Sequence, residues 1–189
     1  MPQIYKPRGN KPFFSLNLAE KKMRIYLVGF MGSGKSSLGK RLARRLEVPF
    51  IDLDDEVEQL AGKRITEIFD QSGEMEFRKL ESEALRKTIE YGSAVIATGG
   101  GTPCYFDNME FINRSGTSVY LRLTPQSLAW RLENAQKKRP LLLNYKGDGL
   151  LHYIEQKLQE REPWYLQSAC VLKGETVRVD QVISLVYGT

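Results

Sequence analysis

Several kinds of chemistry are excluded by what this 189-residue chain lacks. Its single histidine, His152, sits among Leu150, Leu151, Tyr153 and Ile154, where it is expected to pack on a helix face. A Ser/His/Asp or Cys/His centre would have to use that residue, and nothing around it points to one. The two cysteines, Cys104 and Cys170, are far apart and form no C-x-x-C unit. That pattern argues against a zinc site or a disulfide framework and leaves two reduced thiols, as in a cytoplasmic protein. No apolar run approaches the ~20 residues that span a bilayer, so no membrane role is expected. Residues 1–22 lack the apolar stretch of a secretory signal. The net charge is +5, yet no basic block interleaved with aromatics accompanies it. The one tight cluster, Lys137-Lys138-Arg139, suits a small anionic ligand, and no nucleic-acid partner is expected.

What is present is an ordinary globular mixture, 41% hydrophobic and 27% charged, in a length that fits one domain. Met23 opens directly into a strand, so residues 1–22 are read as a poorly ordered extension and residues 23–189 as the domain. Short apolar runs at Ile25–Val28, Pro49–Asp52, Ala94–Ala97 and Ser118–Leu123 read as strands. A fifth strand falls at Ala169–Leu172 or Val177–Val179. Helical spacing falls between them, near Ser36–Leu46, Asp55–Leu60, Ile65–Phe69, Glu74–Glu90 and Asn108–Asn113. Thr124-Pro125 reads as a cap and first turn of a helix to about Asn134. A loop over Lys137–Gly149 and helices at Leu150–Arg161 and Gln181–Val186 complete the pattern. Strands alternating with helices predict an α/β fold, a five-stranded parallel sheet covered by helices on both faces.

The strongest signal is Gly29-Phe30-Met31-Gly32-Ser33-Gly34-Lys35-Ser36, a complete G-x-x-x-x-G-K-[ST] between a strand and a helix. Glycines let successive N–H groups turn toward a phosphate, and the following helix presents its positive end to the same anion. Lys35 is expected to reach the β- and γ-phosphates, and Ser36 to offer a hydroxyl to Mg²⁺, a hard ion that prefers oxygen. Gly32, Ser33, Gly34 and Ser37 belong to the same nucleotide site. This motif predicts binding of a nucleoside triphosphate without naming the acceptor.

The acceptor side is less legible. Asp52-Leu53-Asp54-Asp55 closes the second strand, whereas the third ends at Thr98-Gly99 without an acidic residue. The metal-side carboxylate is therefore assigned to Asp52, since the carboxyl ends of parallel strands converge on the ligand crevice. Asp54 can orient an attacking hydroxyl, or Asp54 or Asp55 can simply cap the next helix. Glu74, Arg78, Glu81 and Ser82 share one helix face, which by itself reads as a surface ion-pair ladder. Gly99-Gly100-Gly101 is either a plain turn or a close backbone approach to a ligand. Arg161-Glu162-Pro163-Trp164-Tyr165 reads alone as a helix end broken by proline.

Taken in order, GFMGSGKS at Gly29–Ser36, DLD at Asp52–Asp54, GEMEFR at Gly73–Arg78, TGGG at Thr98–Gly101, KRPLL at Lys138–Leu142 and REPWY at Arg161–Tyr165 resemble the shikimate kinase family from Met23 onward. The resemblance implies a three-layer P-loop kinase fold and transfer of the γ-phosphoryl of ATP, with Mg²⁺, to the 3-hydroxyl of shikimate. It implies Lys35, Asp54 and Arg139 as catalytic, with Arg139 on a lid at 137–149. Arg131 and Arg139 would contact ATP. Asp54, Arg78, Gly99, Gly100, Gly101 and Arg161 would bind shikimate, the arginines on its carboxylate, while Trp164 and Tyr165 would pack. A cytoplasmic monomer is expected. Gluconate is the rival acceptor. A guanine-nucleotide switch lacks its N-K-x-D element, since Asn10-Lys11 precedes the phosphate loop.

Overall fold

The computed structural model describes residues 4–5, 23–135 and 145–188. In chain order the elements are β1 (Ile4–Tyr5), β2 (Arg24–Val28), α1 (Lys35–Leu46), β3 (Phe50–Asp52), α2 (Leu53–Ala61), α3 (Ile65–Lys87) and β4 (Ala94–Ala97). They continue with α4 (Asn108–Ser115), β5 (Thr117–Arg122), α5 (Pro125–Glu133), α6 (Gly147–Tyr165), β6 (Cys170–Lys173) and α7 (Val179–Tyr187). The sheet order is β1-β6-β5-β2-β4-β3. Five strands are parallel, as expected, and β1 adds an antiparallel edge, with Ile4 opposite Leu172 and Tyr5 opposite Val171. At least these two residues of the 1–22 segment therefore join the sheet.

Alternation along the strands explains the three layers. Ile25 and Leu27 of β2 face α1 and α7, packing with Leu38, Leu42, Val182 and Leu185. Tyr26 and Val28 face the opposite side, where α2, α3 and α4 cover one half of the sheet and α5 and α6 the other. A parallel sheet buried on both faces needs continuous apolar strands, and Ala94-Val95-Ile96-Ala97 is buried throughout.

Four local expectations are corrected. The two helices expected at Ile65–Phe69 and Glu74–Glu90 join as α3, kinked at Gly73, whose φ of 79° lies where glycine is favoured. Helix α6 starts at Gly147, so the end of the expected 137–149 loop is its first turn. It does not break at Pro163 but runs to Tyr165, and Leu166 N–H still bonds Glu162 O at 2.9 Å. Proline removes one donor, a loss a final helical turn can tolerate. Of the two segments expected for the fifth parallel strand, Ala169–Leu172 is borne out, as Cys170–Lys173. His152 lies on α6 but is exposed to solvent.

Candidate functional site

The register gathers the site. Leu27 pairs with Ala97 and Ala97 with Asp52, so the segments leaving β2, β3 and β4 emerge side by side at the carboxyl edge, where α/β sheets hold ligands. The first is the phosphate loop. Gly34 caps α1 in the left-handed region at φ 93°, and Gly32 is at φ 81°. Those conformations aim loop N–H groups at the mouth of the helix. Lys35 is buried, and its Nζ donates to Gly29 O at 2.7 Å and Phe30 O at 2.9 Å. Ser33 Oγ is buried with no protein partner among the described residues. Arg131 of α5 reaches the loop from above, its Nη1 3.4 Å from Ser33 O and its Nη2 bonded to Glu175 O. Ser37 is exposed on α1.

Asp52 links this loop to α2. Its Oδ2 accepts from Ser36 Oγ at 2.7 Å, and its Oδ1 accepts from Asp54 N–H at 3.3 Å. Asp52, not Asp54 or Asp55, therefore caps α2. The cap leaves the Asp54 side chain turned toward Gly99. A hydroxyl and a carboxylate in contact at the end of a phosphate loop supply the hard oxygens that Mg²⁺ requires.

The face read as a surface ladder is largely interior. Arg78 and Glu81 are 7% and 1% exposed. Arg78 Nη1 bonds Glu81 Oε2 at 2.8 Å, while its Nε and Nη2 bond Glu74 Oε1 at 3.2 and 2.9 Å. Burial works against the Arg78 charge, but Glu81 and Glu74 outweigh it and hold the guanidinium above its ordinary range. Burial pushes the Glu81 carboxyl up, and Asp54 adds to the push, against hydrogen bonds from Arg78 and Thr102. What covers the face is the turn after β4. Thr102 Oγ1 donates to Glu81 Oε1 at 2.5 Å, and Tyr105 lies 4.4 Å from the Arg78 guanidinium and bonds Glu74. Asn108 fixes that turn, donating to Thr102 O and accepting from Ser82 and Arg86.

A side chain at Gly99 or Gly101 would crowd the buried groups around it. A Cβ on Gly99 would run into Glu81 Oε1 and lie 2.8 Å from Thr102 Oγ1, with Asp54 Oδ1 at 3.4 Å. One on Gly101 would lie 2.7 Å from Arg78 Nη1. Gly100 abuts the phosphate loop, its Cβ position 3.2 Å from Met31 N. Tyr165, fully buried as expected of a packing residue, also donates its hydroxyl to Gly100 O. Trp164 is instead exposed. Arg161, half-buried on the same helix, lies 5.7 Å from the Phe30 ring and has no ion pair among the described residues. Burial pushes the Cys104 thiol up to about 11, against the pull of Arg161 and Arg78.

The structure thus brings together Lys35, Ser36, Asp52, Asp54, Arg78, Gly99, Gly100 and Gly101, with Arg161 and Arg131 at the margins. Arg139 lies outside the described residues. Thr102, Tyr105 and Asn108 were not found from sequence, because no local pattern says that a turn beyond β4 folds back over α3. No described helix is long and apolar enough to cross a membrane.

A family model described as Shikimate kinase matches residues 31–187. A shikimate kinase of Bacteroides fragilis is 49% identical over 146 residues, which are 77% of this chain and 82% of that one. The crystal structure of shikimate kinase from Bacteroides thetaiotaomicron superposes with a TM-score of 0.80 at 42% identity, covering 88% of this chain and 95% of that one. Shikimate kinase from Acinetobacter baumannii in complex with shikimate gives 0.78 at 32% identity, with 89% and 95% covered. A match across most of the chain, on a fold whose strand ends gather the motif residues into one cleft, carries a single conclusion: the chain belongs to the shikimate kinase family.

Proposed function

We propose that the protein transfers the γ-phosphoryl of ATP to the 3-hydroxyl of shikimate, in the biosynthesis of aromatic amino acids. The carrying observation is the closeness of the two halves of the cleft: a Cβ on Gly100 would lie 3.2 Å from Met31 N of the phosphate loop, while one on Gly99 would lie 3.4 Å from Asp54 Oδ1 and one on Gly101 2.7 Å from Arg78 Nη1. An acceptor held at Asp54 therefore lies beside a phosphate held at Gly32–Lys35.

Asp54 accepts a hydrogen bond from the 3-hydroxyl and orients its oxygen toward phosphorus. That oxygen forms the new P–O bond and gives up its proton to Asp54, which passes it on to solvent, while the bond to the β-phosphate bridging oxygen breaks and ADP leaves with that electron pair. Lys35 exchanges its loop carbonyls for phosphate oxygens and neutralises the transferring group. Arg78 and Arg161 hold the shikimate carboxylate, a task suited to the planar guanidinium. Arg131 flanks the nucleotide, and Arg139 supplies a further cation to the phosphates. Ser36 and Asp52 would hold Mg²⁺, which when bound offsets charge on the β- and γ-oxygens. The two free thiols suit a cytoplasmic setting, and we assign the chain one catalytic domain working as a monomer.

The test is coupled ADP release with MgATP and shikimate, gluconate, nucleoside monophosphates or water. Stimulation by shikimate alone is expected. Stimulation by another acceptor overturns the substrate and keeps the kinase.

A further inference from the structure

Arg78 carries two carboxylates of unlike character. Glu81 is sealed inside, 1% exposed and tied to Thr102. The Glu74 side chain is 54% exposed, yet its Oε1 bridges the Nε and Nη2 edge of Arg78 and accepts from Tyr105 at 2.9 Å. Burial alone would raise the Glu74 carboxyl, but Arg78 and Tyr105, joined by the more distant Arg161, hold it below the usual carboxylate range. Glu74 is thus an anion held on one arginine and within the field of the other, the two groups assigned above to the acceptor's carboxylate. It directly follows the Gly73 kink, at the start of the second straight half of α3.

We propose that Glu74 is a built-in competitor for the acceptor's carboxylate, one that must release Arg78 for an anionic acceptor to take the same edge. The proposal rests on the functional reading above. Geometry supports it. Glu74 holds the Nε and Nη2 edge of Arg78 and Glu81 holds Nη1, so the guanidinium is already engaged on both sides. A substrate carboxylate added beside Glu74 would crowd two anions onto one edge, in a site where desolvated charge is costly. Letting Glu74 turn to water removes that crowding with the substrate in place. Glu81, sealed and doubly bonded, cannot make that exchange. The result is selectivity, because a neutral acceptor has no charge with which to displace Glu74.

The experiment is steady-state kinetics of the wild type, Glu74→Ala and Glu74→Gln with shikimate and MgATP, with thermal unfolding as a folding control. Removing a competing, half-exposed ion pair should lower the KM for shikimate roughly three- to tenfold. The kcat and the KM for ATP should stay within about twofold, since Glu74 bonds Arg78 and Tyr105 rather than the phosphate loop. Glu74→Gln keeps the shape without the charge and serves if Glu74→Ala does not fold. An active wild type with an unchanged or raised KM for shikimate in the variants would mean that Glu74 orients Arg78, and the proposal falls alone. A wild type whose ADP release ignores shikimate would remove the functional reading and this proposal with it.

Discussion

The core of the phosphate side of the cleft is one unbroken stretch from Gly29 to Ser36, joined by Asp52 and Arg131, whereas the acceptor side draws Asp54 from α2, Arg78 and Glu81 from α3, Gly99–Gly101 from the end of β4 and Arg161 from α6. The first is largely backbone, with glycine at positive φ and Lys35 folded over its own carbonyls. The second is mainly side chains, each held by a different neighbour. A backbone cradle binds what every nucleotide shares. A side-chain pocket is where one acceptor is told from another.

Asp54→Asn should strike hardest, because it removes the carboxylate proposed to orient the attacking hydroxyl and leaves the phosphate loop whole. The kcat should fall on the order of a hundredfold or more, with ATP affinity, measured by calorimetry, unchanged. Turnover near normal would take Asp54 out of the mechanism. Arg161→Ala should raise the KM for shikimate roughly ten- to a hundredfold while leaving that for ATP alone. Equal effects on both would erase the division between the two sides.

Gly99→Ala tests the tightest point of the acceptor side. Its methyl meets Glu81 and Thr102, and overpacking of this kind costs about 1–3 kcal/mol. Denaturant unfolding should show that loss, together with a raised KM for shikimate. Tyr165→Phe removes only the hydroxyl on Gly100 O and should cost about 1 kcal/mol, read from the thermal midpoint. The smallest effect is chemical. Since burial holds the Cys104 thiol near 11, alkylation of Cys104 should be slow at neutral pH. It should climb about tenfold per pH unit through the range below that value, following the thiolate. A plateau near pH 9 would mean an unburied thiol.

Legibility followed the same division. Contiguous signals read correctly: the phosphate loop, four of the strands, and Thr124 as the cap of α5, where its Oγ1 accepts from Ser127 N–H. Helical spacing put Glu74, Arg78 and Glu81 on one face but is silent about what packs on that face. The cover comes from Thr102 and Tyr105, over 20 residues further on. Pro163 read as a stop because a sequence shows the missing donor and not the later bonds that carry the turn onward. Of the two candidate segments for the last strand, the one that pairs with β5 is settled by register, which the sequence does not display. The two-residue β1 carries no periodicity at all.

The backbone cradle also has a meaning for heredity. Most single-codon changes alter a side chain and leave the main chain where it was. A site made of N–H groups is therefore sheltered from most missense drift outside its glycines, Lys35, Ser36 and the Asp52 that Ser36 bonds. The pocket made of Glu74, Arg78, Thr102 and Arg161 is open to it, so new acceptors can be explored by descent while the nucleotide end stays fixed.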